Sequence, residues 1–360
     1  MIRLLSLLHR WTGAITGLLL AVIGLSGTAL VWEGYWIGLP GAGDPVIADP
    51  AALGRVVETA RATGPDLSYI TFASEEIGLH QAIYHDGSGA YFSQDAVLVE
   101  RWESFWERPE LWLFDLHHYL FLGEAGKTIT GILGLLLLAF TISGLILWWR
   151  TRKTFRLRLF PARWTASAVV RHHRDLGAVA SPLLLLVAVT GSAMVFPAVT
   201  DAVLSPLAKD RSAIALPANS PAPTAQTDWP VLMTRAQSAF PQAYPRRLMM
   251  PREAGAPVAV RFRQDFEWTP NGRSYIYLDP FRALVLAVDD PAEGSAADAV
   301  REKLYPIHAG KVGGLAWQMA LTFAGLALVM LGTLAMWSFW FAGSTKRAVG
   351  KLRPRDALRA

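Results

Sequence analysis

The chain has 360 residues, of which 52% are hydrophobic, and it carries a formal net charge of +5 without any cysteine. The lack of cysteine excludes disulfides, thiolate metal sites, iron–sulfur clusters and covalently attached c-type haem, so a bound metal would need His, Met or carboxylate ligands. The mean hydropathy is positive (+0.29) and the apolar residues come in long blocks, which is typical of a membrane protein.

Four apolar stretches are long enough to cross a hydrocarbon core of ~30 Å, which needs about 20 such residues. They run approximately from Trp11 to Trp36, from Ile129 to Trp149, from Leu176 to Val199 and from Leu315 to Phe341. The first stretch is too long for a signal peptide and no small-x-small cleavage site follows it, so we expect a retained anchor.

Basic segments follow the second and fourth stretches. They read WWRTRKTFRLRLFPARW and STKRAVGKLRPRDALRA and contain almost no acid. Because the positive-inside rule places such segments in the cytoplasm, we predict that both termini are cytoplasmic and that two long loops, about residues 38–110 and 200–305, lie outside. This anchoring explains the net charge, so no nucleic-acid partner is predicted.

Both outer loops combine a helical pattern with strand patterns. AALGRVVETARATG and WPVLMTRAQSAFPQ have apolar residues at helical spacing, and segments such as HQAIYHD and PVAVRFRQ alternate as strands do. We therefore predict an α+β module in each loop, with a small antiparallel sheet against a helix.

The predicted parts follow one another along the chain. In order, they are transmembrane helix 1 (residues 1–37), a first outer module (38–112), transmembrane helix 2 (113–150), a basic cytoplasmic loop (151–172), transmembrane helix 3 (173–200), a second outer module (201–305), transmembrane helix 4 (306–342) and a basic cytoplasmic tail (343–360).

The chain repeats itself. LHRWTGAITGLLLAVIGLSGTALVW aligns without a gap to HHRDLGAVASPLLLLVAVTGSAMVF, which pairs His9 with His173, and a weaker match pairs His117 with His308. Two copies that run in the same direction are related by a pseudo-twofold axis along the membrane normal. The fold class we predict is an α-helical polytopic membrane protein with four transmembrane helices in two tandem repeats, and the paired histidines should lie at equal depth.

Six of the eight histidines lie at the ends of predicted membrane helices. The cytoplasmic group is His9, His172 and His173, and the outer group is His117, His118 and His308. Two imidazoles from facing helices are a common way to hold a b-type haem without cysteine, and nearby small residues would leave room for a flat macrocycle. We predict two b-type haems, one between His9 and His173 and one between His117 and His308.

Other interpretations of these residues stay open. His118 and His172 are alternate ligands, and a lone interfacial His can simply be a polar residue at headgroup level. Zinc or copper can bind paired histidines, but a tetrahedral zinc site needs more ligands. His80 and His85 have an odd separation on a predicted strand, so we expect them on opposite faces, as solvated residues.

Arginines are frequent in the second outer module. They are Arg246, Arg247, Arg252, Arg261 and Arg263. They can attract an anionic ligand, although scattered arginine is also common on an exposed sheet.

At these motifs the sequence resembles the PepSY-associated transmembrane family. The resemblance lies in LHRWTG…LSGTAL, HHRDLG…VTGSAM, DLHHYLF…GILGLLLLAFTISGLILWWR and LYPIHAGKVGGLAWQ, and YIYLDPFRALVLAV is similar to the end of a PepSY module. In this sequence His118 stands where relatives often have Arg, and the third helix begins with a His doublet.

The resemblance implies a function. Similar family members include inner-membrane siderophore reductases of Gram-negative bacteria, which carry two haems and reduce a ferric siderophore on the periplasmic side. The chain has no G-x-G-x-x-G fingerprint that opens a helix after a strand, so the expected donor is quinol or a separate cytoplasmic flavin or NAD(P)H reductase. The alternative is a membrane-anchored PepSY protein that binds or senses a ligand without redox activity. Transport is disfavoured, because the spans lack a chain of acidic residues.

Overall fold

A computed structural model describes residues 1–64, 66–158, 160–209, 227–251, 253 and 256–341. The predicted cytoplasmic tail (343–360) and Arg252 lie outside the described residues. Within these ranges the protein combines long helices with one antiparallel sheet.

The helices of the described residues fall into four long ones and six shorter ones. In chain order they are α1 (Ile2–Val31), α2 (Glu33–Trp36), α3 (Pro50–Thr63), α4 (Pro109–Tyr119), α5 (Gly123–Trp149), α6 (Ala166–Val195), α7 (Pro197–Leu204), α8 (Trp229–Gln237), α9 (Ala296–His308) and α10 (Gly314–Trp340). Short 3₁₀ helices cover Phe105–Glu107, Arg152–Thr154, Ser205–Leu207 and Pro291–Glu293.

The strands of the described residues form a single sheet. They are β1 (Leu67–Thr71), β2 (His80–Tyr84), β3 (Gly89–Phe92), β4 (Leu98–Trp102), β5 (Tyr244–Met249), β6 (Val258–Arg263), β7 (Ser274–Leu278) and β8 (Val285–Asp289).

The chain divides into two compact units. The helical unit comprises Met1–Val31, Leu113–Pro197 and His308–Ala360, and the sheet unit comprises Trp32–Trp112 and Ala198–Ile307.

Four helices of the helical unit, α1, α5, α6 and α10, are long and apolar enough to cross a membrane, as predicted. Their bounds differ from the apolar stretches. The helix α6 begins at Ala166, ahead of the predicted Leu176, because the Thr165 side chain accepts a hydrogen bond from the Ala168 N–H and caps the helix there. The apolar pattern identifies only the part of a helix that lies in the hydrocarbon core, so it does not predict the polar helical turns that come before this part.

Small residues let the long helices approach closely. A Cβ added to Gly17 of α1 would lie 2.7 Å from the Gly332 carbonyl oxygen of α10, and one added to Gly24 would lie 2.8 Å from that of Gly325. In the other helix pair, a Cβ on Gly131 of α5 would meet the side chain of Phe196 at 2.7 Å. Close approach at small residues is the usual way in which helices associate in lipid.

Short helices with a histidine in the last turn precede α5 and α10: α4 carries His117 and α9 ends at His308. The sequence predicts that His117 lies on the second transmembrane helix (residues 113–150), but in the structure α4 ends at Tyr119 and α5 begins at Gly123. Leu120 and Phe121 have φ of 49° and 59°, in the left-handed region, and this breaks the helix. In the second half, Gly313 and Gly314 have φ of 71° and 59° between α9 and α10.

The sheet unit contains one eight-stranded antiparallel sheet in the order β4-β3-β2-β1-β5-β6-β7-β8. The sequence predicts two separate modules, but β1 pairs with β5 through Tyr69 and Met249, Ile70 and Leu248, which joins the two meanders. An isolated meander exposes the unpaired N–H and C=O groups of its first strand, and this pairing covers one such edge from each loop.

One face of the sheet carries the core of the sheet unit. The fully buried Ile70, Leu248 and Ile276 of three different strands pack with Val56 of α3 and Leu232 of α8. Both helices therefore lie on the same face, and the opposite face presents the alternate residues of each strand.

Candidate functional site

The first candidate site is formed by His9 of α1 and His173 of α6. Their ring centres are 6.3 Å apart and their planes are nearly perpendicular, at 87°. The Nδ1 of His9 lies 2.8 Å from the Ser143 hydroxyl, which itself donates to the Phe140 carbonyl. Because that hydroxyl proton is already used, His9 Nδ1 carries the proton and donates to Ser143, which leaves the lone pair on Nε2.

The second candidate site is formed by His117 at the end of α4 and His308 at the end of α9. Their ring centres are also 6.3 Å apart, with an interplanar angle of 53°. The Nδ1 of His117 lies 3.1 Å from the Ile23 carbonyl oxygen. A carbonyl oxygen can only accept, so Nδ1 of His117 carries the proton and its lone pair is on Nε2.

His308 is held in the same way. Its Nδ1 lies 3.0 Å from the Thr190 hydroxyl, which donates to the Leu186 carbonyl at 2.7 Å. The hydroxyl therefore accepts from His308, and the lone pair of His308 is again on Nε2. Among the described residues, the Nε2 atoms of His9, His117 and His308 have no hydrogen-bond partner in the protein.

Equivalent residues of α1 and α6 support the second pair. A Cβ on Gly27 would lie 2.7 Å from Cε1 of His117, and a Cβ on Gly191 would lie 2.9 Å from Cε1 of His308. Ser26 also contacts Nδ1 of His117, at 3.1 Å. The gap-free alignment that pairs His9 with His173 pairs these residues too, so the Ser/Thr-Gly step has the same geometry in both halves.

These separations suit two ligands on opposite sides of one metal ion. An imidazole nitrogen binds a metal at ~2.0–2.1 Å and lies about 1.2 Å from the centre of its ring, so two opposed imidazoles have centres about 6.4 Å apart. Ordinary aromatic contacts also occur at about 4.5–7 Å. Three of the four histidines have the tautomer that a ligand needs, because ligating histidines commonly donate their other ring N–H to a neighbouring oxygen. The Nδ1 of the fourth, His173, is buried without a hydrogen-bond partner in the ranges that the structure describes. Among the described residues no group of three or more His, Asp and Glu is arranged to hold a metal.

A cavity of about 790 Å³ adjoins the first pair. Its lining includes His9, His173, Gly13, Gly177, Arg10 and Arg174. The volume lies in the range of ~300–1,000 Å³ that is usual for cofactor and ligand sites. The lining extends along α1 from Ser6 to Leu20, which is about 21 Å at 1.5 Å per residue.

Backbone and arginine shape this cavity. A Cβ on Gly13 would meet no atom within 4 Å, and one on Gly177 would meet only Leu331 Cδ2, at 3.7 Å. Arg174 donates to Asp175 at 2.8 Å, and the Arg10 guanidinium lies 5.9 Å from the centre of the Phe339 ring. The cavity is thus a largely apolar space with three arginines, Arg10, Arg171 and Arg174, in its lining.

Comparison with known protein families identifies the family of this chain. Residues 6–342 match the family described as the PepSY-associated TM region. The chain belongs to this family. No curated protein shows significant similarity to it.

The remaining members of the two His doublets, His118 and His172, have other contacts in this PepSY-associated TM protein. His172 is buried, and its Nε2 lies 3.0 Å from the Met330 sulfur. His118 stacks on Phe114 at 4.0 Å and its Nδ1 donates to the Phe114 carbonyl. The rings that lie opposite His9 and His308 are therefore those of His173 and His117.

His80 differs from its prediction as a solvated strand residue. It is 1% exposed, and its Nδ1 accepts a hydrogen bond from the Ala73 N–H at 3.1 Å. Its ring meets Phe72 edge-on, and burial lowers the pKa of His80 to about 4. His85 follows the end of β2 and is exposed, as predicted.

The hydroxyls that orient the imidazoles were not predicted. Ser26 and Thr190 belong to the Ser/Thr-Gly step of the family motif, so a signal was present without an assigned role. Ser143 also begins a Ser-Gly step, and a Cβ on Gly144 would lie 3.5 Å from Cε1 of His9, so the same signal was present in α5 without an assigned role.

Proposed function

We propose that this PepSY-associated TM protein is a di-haem electron-transfer protein of the bacterial inner membrane, which reduces the ferric iron of a siderophore on the periplasmic side. His9 and His173 would ligate one b-type haem, and His117 and His308 the other. The observation that carries the proposal is the pair of imidazole couples with equal ring separations, in which three of the four histidines have Nδ1 committed to an acceptor.

The surrounding residues fit such a group. When bound, a haem supplies a one-electron Fe³⁺/Fe²⁺ couple whose potential depends on its axial ligands and hydrogen bonds. The hydroxyl and carbonyl acceptors of Nδ1 orient the rings and make Nε2 more basic. Gly13 and Gly177 keep side chains out of the cavity next to the first pair, and Arg10 would pair with a carboxylate of the bound group at its edge.

The topology follows from the basic segments. The positive-inside rule puts the loop after α5 in the cytoplasm, so the first pair lies towards the cytoplasm and the second pair towards the periplasm. Along α1, His9 and Ser26 are about 17 residues apart, which corresponds to ~26 Å. The cavity reaches the level of Leu20 and so covers most of this distance.

The duplication gives the two halves equal roles in the proposal. Each site takes one histidine from each predicted repeat, and the Ser/Thr-Gly step supports His117 in one half and His308 in the other. We therefore interpret the helical unit as two tandem repeats around a pseudo-twofold axis.

The electron balance requires a donor, for which we name quinol or a reduced flavin on a separate protein. Oxidation of one such two-electron donor releases two electrons and two protons, and each electron reduces one ferric ion to ferrous. Ferrous iron binds hard oxygen ligands less strongly than ferric iron, so reduction loosens the chelate.

Spectroscopy of the purified protein tests the proposal. We expect two haems per chain and a reduced-minus-oxidised difference spectrum of the b type. His9→Ala and His308→Ala should each leave one haem, while the control His85→Ala, at an exposed site outside both pairs, should leave two. Ferric reduction at the outer side of reconstituted vesicles should fail in both site variants. A purified wild-type protein with no b-type spectrum would instead favour the membrane-anchored binding protein.

A further inference from the structure

A row of polar residues crosses the face of the sheet that lies opposite α3 and α8. Strand pairing aligns Thr71 with Arg247, Arg247 with Arg261, and Arg261 with Tyr275. Their strand neighbours Ile70, Leu248, Val260 and Ile276 are fully buried in the core. Successive residues of a strand point to opposite faces, so the row lies on the face away from that core.

Two arginines are directly opposite each other in this row, on β5 and β6. Like charges in this position are unfavourable, because directly opposed Cβ atoms lie ~4.5–5.5 Å apart. Neither Arg247 nor Arg261 forms an ion pair within the described part of the chain. Burial lowers the pKa of Arg261, and the nearby charges of Arg247 and Arg273 act in the same direction, so an anion in this position would relieve an existing repulsion.

The nearby carboxylate of Glu267 is already committed. It is buried, and it accepts hydrogen bonds from the backbone N–H groups of Gln264 and Arg273 and from the Ser274 hydroxyl. Its attraction for Arg261 is electrostatic only. Strand pairing adds one further carboxylate to the row, Asp289 opposite Tyr275, so the two arginines leave the row with a net positive charge.

Aromatic rings and fixed hydrogen bonds hold both guanidinium groups. Arg247 lies 4.6 Å over the Tyr69 ring and its Nε donates to Thr71 Oγ1 at 3.1 Å. Arg261 lies 5.4 Å over the Tyr275 ring and its Nε donates to the Gly272 carbonyl at 2.6 Å. Because each Nε is used internally, the Nη groups remain as donors whose positions are set in advance. Forks of this kind bind carboxylates and similar oxyanions in a bidentate manner.

We propose that Arg247 and Arg261, with Tyr69 and Tyr275, form a binding site for an anionic metal chelate, such as a ferric carboxylate complex. The chemical class follows from charge complementarity between two adjacent cationic forks and the peripheral oxygens of such a chelate. The identification of the chelate as the acceptor rests on the proposed function. Anionic lipid headgroups share part of this chemistry, but anchored, half-buried forks on two central strands suit a compact ligand better than a diffuse surface.

Gallium(III) complexes test binding apart from reduction, because gallium(III) is not reduced under these conditions. Binding of gallium(III) citrate, an anionic chelate, is measured by calorimetry on the full chain in nanodiscs, with the cationic gallium(III) desferrioxamine complex as comparison. We expect the citrate complex to bind more tightly. Arg247→Gln and Arg261→Gln should each weaken it about tenfold or more, because each removes a charged bidentate donor.

Control variants separate the site from general effects. Arg235→Gln, at an exposed position on α8, should leave citrate binding unchanged. Arg247→Lys keeps the charge but loses the planar guanidinium with its paired donors, so we expect citrate binding between that of wild type and that of Arg247→Gln. Intermediate binding would show that the loss in Arg247→Gln comes from the side chain's chemistry and not from misfolding. Equal binding of the citrate complex to wild type and both Gln variants would overturn the site, as would tighter binding of the cationic complex. Loss of citrate binding in anionic but not in zwitterionic nanodiscs at equal ionic strength would assign the arginines to lipid and also overturn it.

The outcomes distinguish this site from the proposed function. A protein without haem that still binds gallium(III) citrate through Arg247 and Arg261 would retain the site and lose the reductase. A haem-loaded protein that binds no anionic chelate would retain the electron-transfer proposal and lose this site.

Discussion

The contact between Gly27 and His117 gives a sharp test of the second histidine pair. In Gly27→Ala the new methyl carbon would lie 2.7 Å from Cε1 of His117. Carbon atoms in contact prefer ~3.5–4.0 Å, so the imidazole must move by about 1 Å. Metal–ligand distances tolerate only about ±0.2 Å. We therefore predict that Gly27→Ala loses the haem at His117 and His308 and keeps the one at His9 and His173.

The assay is haem content per chain together with a potentiometric titration of the difference spectrum. Wild type should show two components and Gly27→Ala one. Alanine has the higher helix propensity, by about 0.8–1.0 kcal/mol, so a weakened α1 cannot explain the loss. The control Gly38→Ala adds a methyl group in open space and should keep both components. Two unshifted components in Gly27→Ala would refute the reasoning.

Four further predictions follow from other contacts. Gly13→Ala adds a methyl group where no protein atom lies within 4 Å. It should nevertheless reduce the occupancy of the haem at His9 and His173, because the methyl group would take up space in the cavity that the haem needs. Unchanged haem content would argue against the cavity as the site of this haem. Thr190→Val removes the hydroxyl that accepts from His308 Nδ1. It should shift the reduction potential of the haem at His117 and His308 and weaken the affinity for that haem by about 10–100-fold, as measured by potentiometric titration and haem-transfer assays. An equal shift of both haem potentials would contradict the assignment of Thr190 to this pair. The pKa of His80 is about 4 in the folded state against ~6.5 in the unfolded chain. The contribution of His80 to the free energy of unfolding is therefore fully present above pH 6.5, and about 3 kcal/mol of it is lost as the pH falls to 4. Hydrogen exchange of β2 should show this loss, and the pH dependence should be weaker in His80→Gln. Phe121 has φ of 59°, so Phe121→Gly should be more stable than Phe121→Ala by about 1 kcal/mol, seen as a higher thermal midpoint, whereas at Phe114, in helical backbone, the alanine variant should be the more stable of the two.

The sequence predicts the membrane helices well because length and apolar composition are local properties. It also predicts that His9 lies opposite His173 and His117 opposite His308, since an internal repeat carries three-dimensional information that a single segment lacks. The choice within each doublet cannot be derived from the sequence, because it depends on contacts such as the one between His172 and Met330, which come from different helices.

Other features depend on interactions that are distant along the chain. The pairing of Ile70 with Leu248 joins two loops into one sheet, and the local strand patterns are the same with or without it. The helix break after Tyr119 has left-handed backbone at Leu120 and Phe121. Leu and Phe seldom adopt this conformation, so the residue types at these positions do not predict the break. β4 is an edge strand whose Glu100 and Arg101 are exposed, which weakens the alternating pattern by which strands are recognised.

The burial of His80 illustrates the same limit for single side chains. Strand alternation correctly separates His80 from His85, but it does not determine which face is buried. The loop from Phe72 to Ala73 covers His80, and this contact exists only in the folded sheet unit.

Electron paramagnetic resonance of the oxidised protein tests the central claim most directly. Two low-spin ferric signals are expected, each typical of two axial imidazoles. The more anisotropic signal should belong to the pair with nearly perpendicular rings, at 87°, and should vanish in His9→Ala and His173→Ala, while the other should vanish in His117→Ala and His308→Ala. Iron that is high-spin, or absent from a fully folded preparation, would contradict the account.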